Sequence, residues 1–321
     1  MGRRIYKKIF AAIFTILILS FLLFVISHLA PGDPLYSLVG DGASQMSQFQ
    51  RKKIMTNLGL DKPLLIQYFL WIKEGICGNL GYSYKYGIEV STILKESLPN
   101  TIILMGFSYF WIILISLLLG GLMAFNEGSF IDIMIRRIGS LFYSIPGFWM
   151  GLALIWIFSV RLGVLPSSGV STIGMEDSFF DKLEHLILPS ATVVICHIGY
   201  YSNYIRDKMI EEMCSEYVLY AKAKGLSTWY IMTRHILKNC MASLITLSVL
   251  SVNHLMTGSY VSELIFSYPG LGKIIFESAK FHDYPLLMGA VVLTGIVVVT
   301  AGIIGDTGIS MIDPRRRGVE S

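Results

Sequence analysis

The apolar residues of this chain are gathered into long stretches that contain no acidic or basic side chain. There are six such stretches of more than 20 residues: 9–32, 97–126, 138–160, 185–205, 239–262 and 284–305. About 20 helical residues cross the hydrocarbon core of a bilayer. An ionised side chain placed there costs about 2.5–3.5 kcal/mol, which is why membrane-spanning stretches exclude charge. The pattern predicts an all-α integral membrane protein with six transmembrane helices.

The basic residues are divided unevenly between the two sides that six spans define. Segments 1–8, 127–137, 206–238 and 306–321 hold 15 Lys and Arg residues in 68 positions, whereas the opposite segments hold 11 in 109. Short loops rich in Lys and Arg remain in the cytoplasm. The bias therefore predicts that both termini are cytoplasmic.

Composition agrees with a membrane protein and removes other classes of function. Hydrophobic residues make up 54% of the 321 positions and charged residues 15%, against about 25% charged in soluble domains. The net charge of +4 forms no nucleic-acid footprint, so we expect no nucleic-acid partner. The chain lacks a GxxxxGK[ST] nucleotide loop, a metal-ligand pattern and a catalytic constellation. No predicted span holds the acid or base of a proton-coupled carrier. We expect no enzyme activity, no bound metal and no bound cofactor, and an energy source in a partner.

Two polar segments are long enough to have structure of their own. In the external one, 63–75 has helical periodicity and places Leu64, Leu65, Tyr68 and Ile72 on one apolar face. A segment this short cannot bury a core alone, so we expect this face to pack on the membrane part.

The internal polar segment predicts a helix, a sharp turn and a second helix. Residues 211–224 are good helix formers, and Gly225 suits a left-handed C-cap. Ser227 or Thr228 can then cap a helix that runs toward Lys238. These signals fit a docking surface and an ordinary cytoplasmic hairpin equally well.

Short motifs follow one another along the chain in the order found in a known family of transporters. They are 29–34, 58–64, 67–68, 78–83, 145–149, 163–166, 188–189, 217–227, 234–239, 263–266, 269–272, 282–285 and 313–315. Together they resemble the inner-membrane permeases of ATP-binding-cassette importers. Within that group they resemble the dipeptide, oligopeptide and nickel permease subfamily, in the form with a long external loop after the first span. The resemblance implies the type I importer permease fold in a bacterial inner membrane.

The resemblance also implies a domain plan and a set of partners. The plan is a cytoplasmic N-terminus and first span (1–32), an extracytoplasmic loop region (33–96), a type-1 transmembrane domain (97–308) and a basic tail (309–321). The spans of the domain lie at about 100–125, 138–160, 185–205, 240–262 and 285–305, with a coupling hairpin at 206–238. The implied partners are a second homologous permease, two ATPases that use ATP and Mg, and a solute-binding protein outside the cell.

Three groups of residues are candidates for function. The resemblance implies that ATPases act on the hairpin through Glu216, Tyr217, Tyr220, Ala221, Ala223, Lys224, Gly225, Leu226 and Ser227. Polar residues in the fourth and fifth spans are candidates for the substrate path, although helix packing explains such residues too: Asn203, Asn253, His254 and Thr257. Turn chemistry at Pro269, Gly270 and Gly272 predicts a tight external loop, which is either a gate near the binding protein or a simple connector.

The function predicted from these features is that of a permease subunit forming half of a path for peptides. Nickel or metallophore and opine complexes are alternative cargo for the same architecture. A membrane scaffold or channel subunit that works without ATP hydrolysis is the alternative from another class.

Overall fold

The chain is described from a computed structural model that covers residues 2–29, 46–57 and 62–312. In these ranges it is helical, apart from turns and one β-bridge between Tyr82 and Glu89. The helices are α1 Gly2–Leu29, α2 Gln48–Asn57, α3 Leu64–Ile76, α4 Val90–Phe125, α5 Phe130–Ser144, α6 Gly147–Leu154, α7 Phe179–Met213, α8 Glu216–Ala223, α9 Thr228–Ile231, α10 Leu237–Ile265, α11 Leu271–Lys280 and α12 Tyr284–Ile312. Two π-helical segments, Ile155–Arg161 and Met232–Ile236, directly follow α6 and α9.

The described helices include four that are long and apolar enough to cross a membrane. These are Ile9–Leu29, Val90–Phe125, Phe179–Met213 and Tyr284–Gly305. A fifth crossing is present if the bent pair Phe130–Ser144 and Gly147–Arg161 counts as one span. The predicted span 240–262 coincides with α10. The all-α, multi-span architecture is therefore confirmed, whereas the number six stays a prediction.

The third predicted span, 138–160, is not a single straight helix. The helix axis turns by 99° between Ser144 and Gly147. Ile145 there is extended, with φ −77° and ψ 127°, and Pro146 follows it. A residue before proline avoids the helical region, and proline has no N–H to continue the ladder. The sequence therefore breaks the span at the Ile145 to Pro146 step.

The chain divides into two compact units, one of which comprises Thr101–Tyr268 and Thr300–Ser321. In this unit α7 is the central helix, and Val193, Tyr201 and Ile205 are buried in its contacts with α4 and α10. The backbones of α5 and α7 touch, because a Cβ on Gly199 would lie 2.1 Å from the carbonyl oxygen of Gly139. Glycine permits this close approach of two membrane helices.

The other unit comprises Met1–Asn100 and Pro269–Val299. Here α3 packs through Tyr68, which contacts Phe24 and donates a hydrogen bond to the carbonyl of Leu17 at 2.9 Å. The prediction for the apolar face is right for Tyr68, Leu64 and Ile72 but wrong for Leu65, which is 57% exposed. Leu65 lies one position, about 100°, off this face.

A turn that precedes α4 is fastened to the loop before α12 within the same unit. The Ser83 hydroxyl donates to the buried Asp283 carboxylate at 2.5 Å. Lys85 pairs with Glu277. Burial, with the charge of Asp283, raises the pKa of Tyr84 to about 12. These contacts give the predicted external region a fixed connection to α11 and its C-terminal end.

The predicted loop region 33–96 and the predicted tail 309–321 are only partly covered by the described residues. Helix α4 begins at Val90, so helical structure enters the predicted loop region 33–96 before its end. Part of that region (33–45 and 58–61) and residues 313–321 of the predicted tail lie outside the described residues.

Candidate functional site

The polar segment after α7 forms a hairpin of two short helices, α8 and α9. The single helix predicted for 211–224 is interrupted, because α7 ends at Met213 and Ser215 is extended, with φ −74° and ψ 152°. The Ser215 hydroxyl instead donates to the Glu212 carbonyl at 2.6 Å. This local bond offers the backbone an alternative to the helical ladder. The first arm of the hairpin is thus separated from α7 by a break.

The turn of the hairpin is a Schellman motif centred on Gly225. The amide of Gly225 donates to the Lys222 carbonyl at 2.9 Å, and the amide of Leu226 donates to the Ala221 carbonyl at 3.3 Å. Gly225 has φ +80°, a conformation that other L-residues rarely adopt. The Ser227 hydroxyl then accepts a bond from the Tyr230 amide, as predicted for a cap. The predicted turn at Gly225 and cap at Ser227 are confirmed, with helices before and after them, whereas the first predicted helix is shorter than 211–224.

The inner face of the hairpin is packed against the membrane helices. Val218, Ala221 and Ile231 are buried in one apolar cluster with Ile205 of α7 and Cys240 of α10. Ala221 is therefore part of the base of the hairpin and not of its exposed surface. This packing holds the turn in a fixed orientation relative to α7 and α10.

The outer face of the hairpin is exposed and rich in large apolar side chains. Leu219, Tyr220 and Trp229 are 61%, 64% and 67% exposed. The Lys224 ammonium lies 4.4 Å from the ring centroid of Tyr220. The other predicted residues at the turn are also exposed, apart from Tyr217, which is half-buried and donates to the Glu212 carboxylate: Glu216, Ala223, Lys224, Gly225, Leu226 and Ser227. Leu219 also belongs to this exposed face, although it was not among the residues predicted for the hairpin surface.

A buried ion pair joins the first turn of α5 to the part of α7 that leads into the hairpin. Arg206 donates from Nε and Nη2 to the two carboxylate oxygens of Asp132, both at 2.6 Å. Asp132 is 1% exposed and also accepts from the Gly128 amide at 3.0 Å. Two parallel bonds of this kind fix the guanidinium in orientation as well as position. Sequence reasoning missed the pair, although Ser129 and Asp132 have the spacing of a helix N-terminus.

A second buried acid lies directly after the predicted span 240–262. Helix α10 continues beyond the predicted charge-free stretch, and Glu263 near its end is fully buried. Its carboxylate accepts a bond from the Thr101 hydroxyl of α4 at 2.7 Å. Glu263 is itself the charged residue that ends the stretch 239–262, so the search for charge-free stretches could not include it.

The structure describes the side chains of three of the four candidate path residues. His254 and Thr257 are exposed on α10, and the side chain of Asn253 lies outside the described residues. Asn203 instead lines a cleft between α5 and α7.

The predicted tight loop is found between α10 and α11 at 266–270, which includes Pro269 and Gly270 but not Gly272. Gly270 has φ −105° and is the N-cap of α11, while Gly272 lies in the first turn of that helix. All of 270–272 is buried, and the Asn100 side chain donates to the Pro269 carbonyl at 2.9 Å. The positive φ in this connection belongs to Ser267, at +48°.

The chain is similar over nearly its whole length to known membrane transport subunits. It is 34% identical to "Oligopeptide transport system permease protein AppB" of Bacillus subtilis, over 98% of this chain and 99% of the relative. It is 32% identical to "Probable D,D-dipeptide transport system permease protein DdpB" of Escherichia coli, over 91% of each chain. Among solved structures, the MetNI methionine ABC transporter in an inward-facing conformation has a similar fold, with a TM-score of 0.57 at 17% identity. That match covers 69% of this chain and 96% of the other.

Two family models divide the chain between them. The model described as "Binding-prot-dependent transport system membrane comp, N-term" matches residues 1–105. The model described as "Binding-protein-dependent transport system inner membrane component" matches residues 116–318, which include the hairpin and its supporting helices. The chain therefore belongs to the family of binding-protein-dependent transport system inner membrane components.

Proposed function

We propose that this chain is one of two permease subunits of an ATP-driven importer of peptides. The two relatives named above are an oligopeptide permease and a probable D,D-dipeptide permease, and both match over at least nine-tenths of this chain. In the proposed complex a second homologous permease completes the path, and a solute-binding protein delivers the cargo. Two partner ATPases bind ATP and Mg, so this chain needs no cofactor of its own.

The observation that carries the proposal is the hairpin at 206–238. Its two short helices, α8 and α9, expose Leu219, Tyr220 and Trp229 to solvent, and their opposite face is buried in an apolar cluster. Exposed aromatic and leucine side chains around a fixed turn are typical of a surface that inserts into a groove on a partner. In the proposed topology six spans place this hairpin and both termini in the cytoplasm, where the ATPases are.

In this proposal ATP hydrolysis is coupled to transport through the packed contacts between the hairpin and the membrane helices. ATPases that close on ATP and open after hydrolysis displace the hairpin held in their groove. The displacement passes to the helices that pack on the base of the hairpin, namely α7 and α10. These helices rock against the second permease and open the path first outside and then inside.

The test is transport by the reconstituted complex carrying Gly225→Asp. A carboxylate at this exposed turn would be desolvated in an ATPase groove, so we expect peptide uptake to fall about tenfold or more while the permease pair still assembles. Gly163→Asp is the matched control. Both glycines have positive φ, and a Cβ on either meets nothing within 4 Å, so both substitutions place the same side chain on a left-handed residue without a steric contact.

The outcomes separate the proposal from its alternatives. Normal ATP-dependent uptake with Gly225→Asp would contradict coupling through the hairpin. Uptake by the wild type without ATP hydrolysis would favour a channel or scaffold, and uptake of nickel complexes in place of peptides would change the cargo.

A further inference from the structure

The face shared by α5 and α7 contains an open cleft beside the contact of Gly139 and Gly199. The cavity measures about 350 Å³, within the range of about 300–1,000 Å³ typical of ligand pockets. The exposed surface of the cleft is mostly apolar, and its lining residues are Ser140, Tyr143, Ser144, Gly199, Tyr200, Asn203, Tyr204 and Asp207.

The polar groups of the cleft, which include the Asp207 carboxylate and the Asn203 amide, are poor contacts for lipid. Hydroxyl and amide groups exposed to hydrocarbon lose hydrogen bonds to water, so polar groups within a membrane face protein or a water-filled path. Asn203 has a specific deficit, because its Oδ1 atom is buried and has no hydrogen-bond partner among the described residues. A buried acceptor of this kind costs about 1–3 kcal/mol unless a donor reaches it.

The chemistry of the cleft matches a peptide backbone. An asparagine amide accepts from an N–H at Oδ1 and donates to a C=O at Nδ2, which is the pairing that each peptide unit offers. Beside it the rings of Tyr143 and Tyr200 stack with centroids 5.8 Å apart, and these side chains are 51% and 45% exposed. A flat aromatic surface contacts side chains of many shapes.

We propose that this cleft is a peptide-backbone contact site on the transport path, with Asn203 as its hydrogen-bonding group. The inference rests on the proposed function and names where in this chain the cargo is held. Recognition through the backbone and an aromatic surface leaves selection among side chains to other components. Asn203→Leu should therefore weaken the transport of different peptides to a similar extent.

The test uses the reconstituted complex with its binding protein and an equimolar mixture of synthetic di- to pentapeptides. Wild-type import identifies the peptides that are carried. With Asn203→Leu we expect import of each carried peptide to fall about tenfold, the effect of one hydrogen bond, while ATP hydrolysis continues. The ATP used per peptide then rises about tenfold. A purely structural defect would lower hydrolysis and import together.

Two controls make the result specific. Asn203→Gln keeps both amide functions and should recover part of the import. Asn126→Leu makes the same chemical change at a half-buried site whose amide donates to the Leu122 carbonyl of its own helix, and should import as wild type. Loss of one peptide alone, or normal import with Asn203→Leu, would overturn the inference.

Labelling provides an independent measurement. In a variant with the four native cysteines replaced, Asn203→Cys should react with a charged methanethiosulfonate, and the peptide mixture should slow the reaction. A thiol that stays unreactive with and without peptides would show that a neighbouring helix fills the cleft, and would overturn the inference. If the wild type imports no peptide from the mixture, the proposed function fails instead, and the cleft assignment falls with it.

Discussion

Adjacent glycines in α4 test how tightly the membrane helices are packed. A Cβ on Gly120 would lie 2.7 Å from Cγ2 of Ile205 and 2.9 Å from the carbonyl oxygen of Ser202. A Cβ on Gly121 meets nothing within 4 Å. The two positions belong to one helix, so Gly120→Ala and Gly121→Ala differ in the neighbour that each new methyl group meets and not in the chemical change.

The magnitude follows from two opposing terms. Replacing a glycine in a helix interior by alanine stabilises by about 0.5–1 kcal/mol, which applies to both positions. Carbon atoms prefer separations of about 3.5–4 Å, so the methyl group at 120 overlaps a fully buried side chain and a backbone atom. Overpacking of this kind costs about 1–3 kcal/mol. We expect Gly120→Ala to destabilise by about 1–2 kcal/mol and Gly121→Ala to be neutral or stabilising.

The assay is unfolding of the purified protein in mixed micelles of increasing SDS content, followed by far-ultraviolet circular dichroism. The measured quantity is the difference in free energy of unfolding between the two variants, in which the helix-propensity term cancels. Equal free energies, or a less stable Gly121→Ala, would refute the packing of α4 on α7 described above.

Three further changes test other contacts. Asp132→Asn leaves the Arg206 guanidinium with the exposed Asp207 carboxylate as its remaining described partner and should lower the free energy of unfolding in the SDS titration by about 3 kcal/mol; a loss near zero would contradict the buried pair. Tyr68→Phe should cost about 1 kcal/mol in the same titration through its lost hydrogen bonds, and an unchanged stability would place this hydroxyl in water. Burial raises the pKa of Glu277, but the Lys85 hydrogen bond and charge outweigh this and hold it below 4.5. The stability advantage of wild type over Glu277→Gln should therefore be present at neutral pH and disappear as the pH falls through that pKa, whereas a constant advantage from pH 7 into acid would contradict the ion pair.

Elements that depend on local chemistry were predictable from the sequence. Long charge-free stretches predict helices because hydrocarbon excludes charge, and α1, α4, α7 and α12 are found there. The turn at Gly225 and the cap at Ser227 follow from rules that involve only neighbouring residues. The nearly complete series of family motifs added the architecture and the function.

Features that depend on contacts between distant residues were not predictable in the same way. Asp132 and Arg206 are far apart in sequence, and the residue pattern of α5 or α7 does not indicate that these two side chains pair. Ala221 is small and could lie on either face until the packing of α8 is known. The proline at 146 signals a break, but its 99° angle is a property of packing.

The two arms of the hairpin differ in how they join the membrane helices. The first arm meets α7 across the non-helical step at Cys214 and Ser215. The second arm runs from Thr228 through a π-helical segment into α10 without leaving helical geometry, as far as Ile265. Within the proposed mechanism the first arm can therefore bend relative to α7, whereas the second arm moves together with α10. A push at Trp229 would tilt α10 along its whole length, while the joint at 214–215 lets α7 lag behind.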